Sequence, residues 1–134
     1  MEIKVTFPGG KRVNAELSGI VIPTDQPVDD GGEGSAPSPF IYFLASLGTC
    51  AGFYVLSFCQ QRGIETTGMS LNQQMEFSPD QTGKKRLSRV SMEILLPPGF
   101  PEKYRNAVVK TAELCTVKKV ITDPPEFIIT ATMP

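Results

Sequence analysis

A run of twenty residues without a charge, Phe40 to Cys59, constrains this chain more than any other feature. Ser38 and Pro39 mark a helix start. Proline at the first helical position loses no needed N–H, and the serine hydroxyl can cap the free amides. After the run, Gln60, Gln61 and Arg62 turn polar, and Gly63 can adopt the left-handed conformation that closes a helix. The pattern predicts a helix roughly 36 Å long at ~1.5 Å per residue, apolar on every side and therefore buried all round. Its length also meets the criterion for a membrane span. Against that reading, Ala45, Ser46, Gly48, Thr49, Ala51, Gly52 and Ser57 dilute the run, and strand patterns flank it. Small residues suit close packing against another helix, so no membrane partner is expected.

A chain of 134 residues is expected to form one domain, residues 1–134, yet it is short for covering a long helix on all sides. A partner subunit would complete the burial. The net charge of -1 and a pI near 5.4 offer no basic field, so no nucleic-acid partner is expected. MEIKVTF lacks the basic and then apolar regions of a secretory signal, which makes the cytoplasm the expected location.

Strand alternation begins at once. Ile3, Val5 and Phe7 share a face, Pro8, Gly9 and Gly10 turn the chain, and Val13, Ala15 and Leu17 continue a hairpin. Ser18 and Gly19 break it before a short third strand over 19–22. The stretch 24–37, TDQPVDDGGEGSAP, has loop composition and carries Asp25, Asp29, Asp30 and Glu33 without a basic residue. It reads as a solvated loop, or as a lid over the start of the helix. Beyond the helix, Met69 to Phe77 and Val90 to Leu96 alternate as two strands around the turn SPDQTG, with Lys84, Lys85, Arg86 and Arg89 as solvated charges near its tip. Pro101 and Glu102 open an amphipathic helix through Leu114, and TVKKVI forms a shorter one. Phe127, Ile129, Ala131 and Met133 alternate as a last strand. The order β-β-(β)-α-β-β-α-α-β predicts an α+β fold with antiparallel sheets.

Histidine is absent, which removes Ser-His-Asp and Cys-His nucleophile pairs and His-containing zinc sites. No metal and no cofactor are expected. Three cysteines with no CxxC argue against a disulfide scaffold and leave thiol chemistry or core packing. Cys50 and Cys59, nine residues apart, project from opposite faces of one helix and cannot pair within it. Cys115 reaches either one only through tertiary packing. A reactive thiol here needs arginine, lysine or a helix N-terminus to activate it.

The segment SPFIYFLASLGTC, ending at Cys50, resembles the OsmC/Ohr family pattern in which a proline, small and apolar residues and then a cysteine open a central helix. CTVKKVI, beginning at Cys115, resembles that family's second cysteine motif, and the element order fits over almost the whole chain. The resemblance implies an intertwined homodimer whose sheets wrap a pair of long central helices, with each active site at the subunit interface. It implies a thiol peroxidase. Cys50 would be the attacking thiolate and Cys115 the resolving thiol, with a small organic or inorganic hydroperoxide as substrate and an external thiol or dihydrolipoyl protein as reductant. In the hydroperoxidase branch a glutamate usually follows the proline, and it pairs with an arginine that activates the thiolate; here Phe40 follows Pro39. Arg12 or Lys11 is the candidate cation and Glu33 the candidate carboxylate, with Lys118 and Lys119 as further positive charge. Cys59 is taken as packing. The sequence is closer to the less characterised OsmC-like members than to the dedicated peroxidases.

Two alternatives stand beside the peroxidase. The chain could be a non-catalytic protein that binds an apolar small molecule against Phe40, Tyr42, Phe43, Phe53 and Tyr54. It could also be a sulfur-handling protein that carries a persulfide on Cys50.

Overall fold

A computed structural model describes all residues from Met1 to Pro134. Strand β1 (Lys4–Gly9) pairs antiparallel with β2 (Arg12–Leu17), and β2 pairs antiparallel with β3 (Ile20–Thr24). Ser18 and Gly19, at φ 48° and 81°, form the two-residue connection between β2 and β3; both left-handed values suit a tight hairpin whose twist matches its strands. Helix α1 follows (Pro39–Gln61), then the antiparallel pair β4 (Ser70–Pro79) and β5 (Lys85–Leu95). The chain continues through a 3-10 turn at Glu102–Tyr104, α2 (Arg105–Ala112) and α3 (Thr116–Thr122). The α+β class and the antiparallel sheets are as expected.

The helix boundaries have visible causes. The N–H of Ile41 donates to Ser38 Oγ at 3.4 Å, the capping bond expected of a serine before Pro39. At the other end, Gly63 sits at φ 62°, its N–H bonds to Gln60 O at 3.2 Å, and the N–H of Ile64 bonds to Cys59 O at 2.9 Å. This is the double closure of a left-handed C-terminal glycine, and Ile64 tucks back against Cys59 in the core.

By its internal contacts the chain groups into two compact units, Met1–Ser46 and Leu47–Pro134, and α1 contributes to both. The second unit holds a core of Val55, Phe58, Cys59 and Val108, onto which Ile64, Met69, Ile94, Leu96, Phe100 and Tyr104 pack. Arg62 lies 3.7 Å over the Phe58 ring and caps this cluster on its polar edge.

Two expected features are incomplete within one chain. Helix α1 is not buried all round: Leu44, Leu47, Ala51, Val55 and Phe58 recur at helical spacing as one buried stripe, while Phe40, Ile41, Phe53 and Leu56 remain exposed. The expected last strand is also missing, because residues 125–134 carry no ladder, and Phe127, Ile129 and Met133 are more than three-quarters exposed. A single chain contains neither the apolar surface to cover the rest of α1 nor a strand edge paired with its own C-terminus. The outward apolar residues of the first sheet, Val5, Phe7 and Val21, are exposed as well. In α1, an 18-residue window reaches a mean hydropathy of 1.6, enough by length and composition to cross a membrane, but its buried stripe packs into a protein core.

The acidic loop is built around one carboxylate. Asp25, 1 % exposed, accepts at Oδ1 from the N–H of Gln26 (2.8 Å), and at Oδ2 from the Ser35 hydroxyl (2.6 Å) and the N–H groups of Ser35 (3.0 Å) and Glu33 (3.3 Å). The Ser35 hydroxyl leads the causes that hold its pKa at about 2, below the ordinary 3.8. Gly32 belongs to the same closure, since a Cβ there would lie 2.0 Å from Gln26 O. Because the folded-state pKa is depressed, the Asp25 contribution to stability is fully present above about pH 4 and is lost as pH falls toward 2. Asp25→Asn should therefore melt several degrees below wild type at pH 6, with the gap closing by about pH 2. A gap that stays constant across this range would show that the carboxylate does not organise the loop.

Candidate functional site

Cys50 lies at mid-helix in α1 and is half-buried; Cys115 is buried and immediately precedes α3. Both thiols are free, and Cys115 is among the groups that act on Cys50. The sequence pattern of α3 explains its start. Cys115 is the N-cap, at φ -45° and ψ 119°, and its Sγ accepts the Lys118 N–H at 3.4 Å. That cap leaves the amides of Thr116 and Val117 unused by the helix, and both reach Cys50. The Val117 N–H is the largest cause lowering the Cys50 pKa below its ordinary 9.0; burial opposes it, and the Cys115 thiol and the Thr116 N–H add to it. All of these groups come from residues 115–117. One S–H on Cys115 cannot serve two acceptors, and its contact with Leu47 O is long at 3.9 Å. An ionised Cys50 is the better acceptor, so the S–H turns to it when the thiolate forms.

Tyr54, one turn beyond Cys50 on α1, brings its hydroxyl to 2.9 Å from Thr116 Oγ1. Phe53 packs edge-on against the Tyr54 ring at 5.8 Å and is 62 % exposed. The other proposed aromatic contacts lie in the N-terminal unit. Phe40 and Phe43 stack there at 5.9 Å, and the Tyr42 hydroxyl donates to Pro23 O at 2.8 Å, bracing the end of β3. Arg12 donates from Nε to Gly9 O at 3.3 Å within its own hairpin. The Glu33 side chain is exposed while its backbone N–H serves Asp25, and the Lys11 stem lies against Gly31. Lys118 and Lys119 are exposed on α3. No cluster of three or more His, Cys, Asp or Glu is arranged to hold a metal ion.

Cys59 has the opposite environment. It is fully buried in the core, and burial pushes its thiol pKa up, partly offset by Arg62. A groove of about 240 Å³ opens beside α1, lined by Gly52, Val55, Leu56, Met69, Leu71 and Ile94 among others. None of the five aromatic residues expected to line an apolar pocket borders it. What sequence reasoning overlooked was the pair of amides at Thr116 and Val117. A cysteine standing where a helix N-cap belongs was the available signal, since a capping side chain leaves neighbouring amides free.

A mixed α+β fold with one long helix and antiparallel sheets is already represented among solved structures. A Psychrobacter arcticus protein assigned provisionally to osmotic stress and detoxification is 28 % identical, with TM-score 0.71 over 87 % of this chain and 85 % of that one. An organic hydroperoxide resistance protein of Legionella pneumophila has TM-score 0.61 at 19 % identity, over 90 % and 89 % of the two chains. An OsmC-like protein of unknown function from Vibrio cholerae has TM-score 0.68 at 13 % identity, over 88 % and 90 %. No curated protein matches in sequence. The model of the OsmC-like protein family matches residues 32–130, and the chain belongs to that family.

The two environments predict a labelling order. With iodoacetamide near neutral pH, Cys50 should alkylate first, with a midpoint below the ordinary thiol value of 9.0, and Cys59 should react only after denaturation. Mass spectrometry of the digested protein reads this directly; equal rates at Cys50 and Cys59 would contradict it.

Proposed function

We propose that this protein is a two-cysteine thiol redox protein that reduces small organic or inorganic hydroperoxides in the cytoplasm, with Cys50 attacking and Cys115 resolving. The observation that carries this reading is that the Val117 and Thr116 amides and the Cys115 thiol all act on the Cys50 sulfur and lower its pKa. Membership of the OsmC-like family and the likeness to hydroperoxide resistance proteins support a redox role. The Cys50 thiolate attacks one peroxide oxygen: an S–O bond forms, the O–O bond breaks, and the leaving alkoxide takes a proton to become an alcohol or water. Cys50 is then a sulfenic acid. Cys115 attacks its sulfur, the S–S bond forms and water leaves, so the two electrons consumed come from the two thiols. Closure of the disulfide brings the two sulfurs to about 2.05 Å. An external thiol or a dihydrolipoyl protein then restores both thiols by exchange.

A binding role for an apolar small molecule draws on the groove beside α1, but its 240 Å³ falls below the ~300 Å³ at which small-molecule pockets usually begin. The thiol reading is preferred because none of the five aromatic residues of the binding reading borders that groove. The proposal includes a homodimer, supported by the uncovered faces of α1 and of the first sheet and by the unpaired C-terminal segment.

Reduced protein mixed with tert-butyl hydroperoxide should lose the Cys50 and Cys115 thiols together, roughly a hundredfold or more faster than free cysteine, while Cys59 stays reduced. Cys115→Ser should stop at a sulfenic acid that dimedone traps, and excess peroxide should drive it to the sulfinic acid. Oxidation at the rate of free cysteine would remove the proposal. Light scattering at micromolar concentration should return twice the 14.6 kDa chain mass, and a 14.6 kDa particle would exclude the dimer.

A further inference from the structure

Thr116 meets α1 twice. Its N–H points at Cys50, and its hydroxyl is 2.9 Å from the hydroxyl of Tyr54, four residues further along the same helix. Residues at this spacing stand one above the other on a single face, about 5–6 Å apart at Cβ. One helical turn of α1 is thus bridged at both ends by one residue of the segment that also holds Cys115. Two contacts fix orientation where one would leave the segment free to pivot. Within the second unit, contacts of α1 with α3 are otherwise sparse: the Cys115 contact with Leu47 O is long, and Val120 and Ile121 on α3 are about half exposed. A seven-residue helix with so little apolar burial has small intrinsic stability and depends on such anchors.

We propose that Tyr54 is a positioning residue of the thiol site, whose hydrogen bond to Thr116 holds the turn over residues 115–117 so that its amides and the Cys115 sulfur face Cys50. Tyr54 does not touch the reacting atoms; it acts through Thr116. The bond costs little to hold, because the edge-on Phe53 ring limits the freedom of the Tyr54 side chain. The titratable groups around Cys50 are Cys115 and Tyr54, with the exposed Lys118 and Lys119 further along α3. The assignment takes its catalytic meaning from the peroxidase reading, but the geometry it describes exists in the reduced protein whatever the oxidant.

The test uses Tyr54→Phe, Thr116→Val and Thr116→Ser in the full chain, with two readouts. In the pH dependence of Cys50 alkylation, Tyr54→Phe and Thr116→Val should each raise the midpoint by roughly half a pH unit or more, as the amides drift from the thiolate. Thr116→Ser, which keeps the hydroxyl, should stay at the wild-type midpoint. The double variant Tyr54→Phe/Thr116→Val should be no worse than either single change, since both remove the same bond. In the second readout, Cys50–Cys115 disulfide formation after peroxide should slow about tenfold in Tyr54→Phe. Midpoints and closure rates within twofold of wild type would overturn the role of Tyr54. If no variant reacts with peroxide faster than free cysteine while the alkylation midpoints still shift, the peroxidase reading fails and the positioning role stands.

Discussion

The structure depends on a helix that one chain cannot cover. Helix α1 carries about twenty uncharged residues, and the chain folds enough apolar surface onto it to bury a single stripe, Leu44 to Phe58. Burying an apolar side chain is worth roughly 1.5–3 kcal/mol, so Phe40, Ile41, Phe53 and Leu56 left in water represent a large unused driving force. The same shortage appears at both ends of the chain, in the open faces of the first sheet and in the unpaired residues 125–134. On the proposed reading a second copy supplies the missing cover for this apolar surface.

The helix also determines what the thiol site can be. Cys50 sits mid-helix, where its own backbone amide is committed to the i−4 carbonyl and has nothing to offer a thiolate. Activation must come from outside, and the start of α3 is the element within reach. Because Cys115 caps that helix with its sulfur, the amides of Thr116 and Val117 remain available to Cys50. The candidate resolving thiol and the groups that stabilise the candidate attacking thiolate are therefore consecutive residues. Mobility of this turn would loosen both at once, which is why its anchor to Tyr54 matters.

The parts of the fold governed by local chemistry were legible from the sequence. Ser38-Pro39 and Gly63 bound α1 as their capping roles require, the Ser18-Gly19 hairpin turn forms where the alternation breaks, and the β4–β5 ladder follows its alternating pattern. The contact between Cys50 and Cys115 was not derivable from spacing and entered only through family resemblance. Sequence periodicity also fell short where a single chain leaves an apolar face open. An apolar pattern reports that a face wants cover, not that the same chain provides it, so the strand expected over 127–133 has no ladder and α1 is only partly buried. Asp25 was read as one of several loop acids, yet it alone is buried, because its role rests on amides eight and ten residues away that no local pattern announces.

The absence of an acid after Pro39 changes the physics of activation rather than removing it. A glutamate–arginine pair supports a thiolate through long side chains whose positions and ionisation are sensitive to salt and pH. Backbone amides do not titrate, sit on a short rigid turn and carry no net charge to be screened. A thiolate held by two amides therefore keeps that part of its support over the whole range in which the chain stays folded. The limit is geometric instead: an amide hydrogen bond weakens steeply with misalignment, whereas a full charge acts over several ångströms. Replacing an ion pair by amides therefore moves the burden from electrostatics to positioning, and in this chain the Tyr54–Thr116 bond stands where that burden falls.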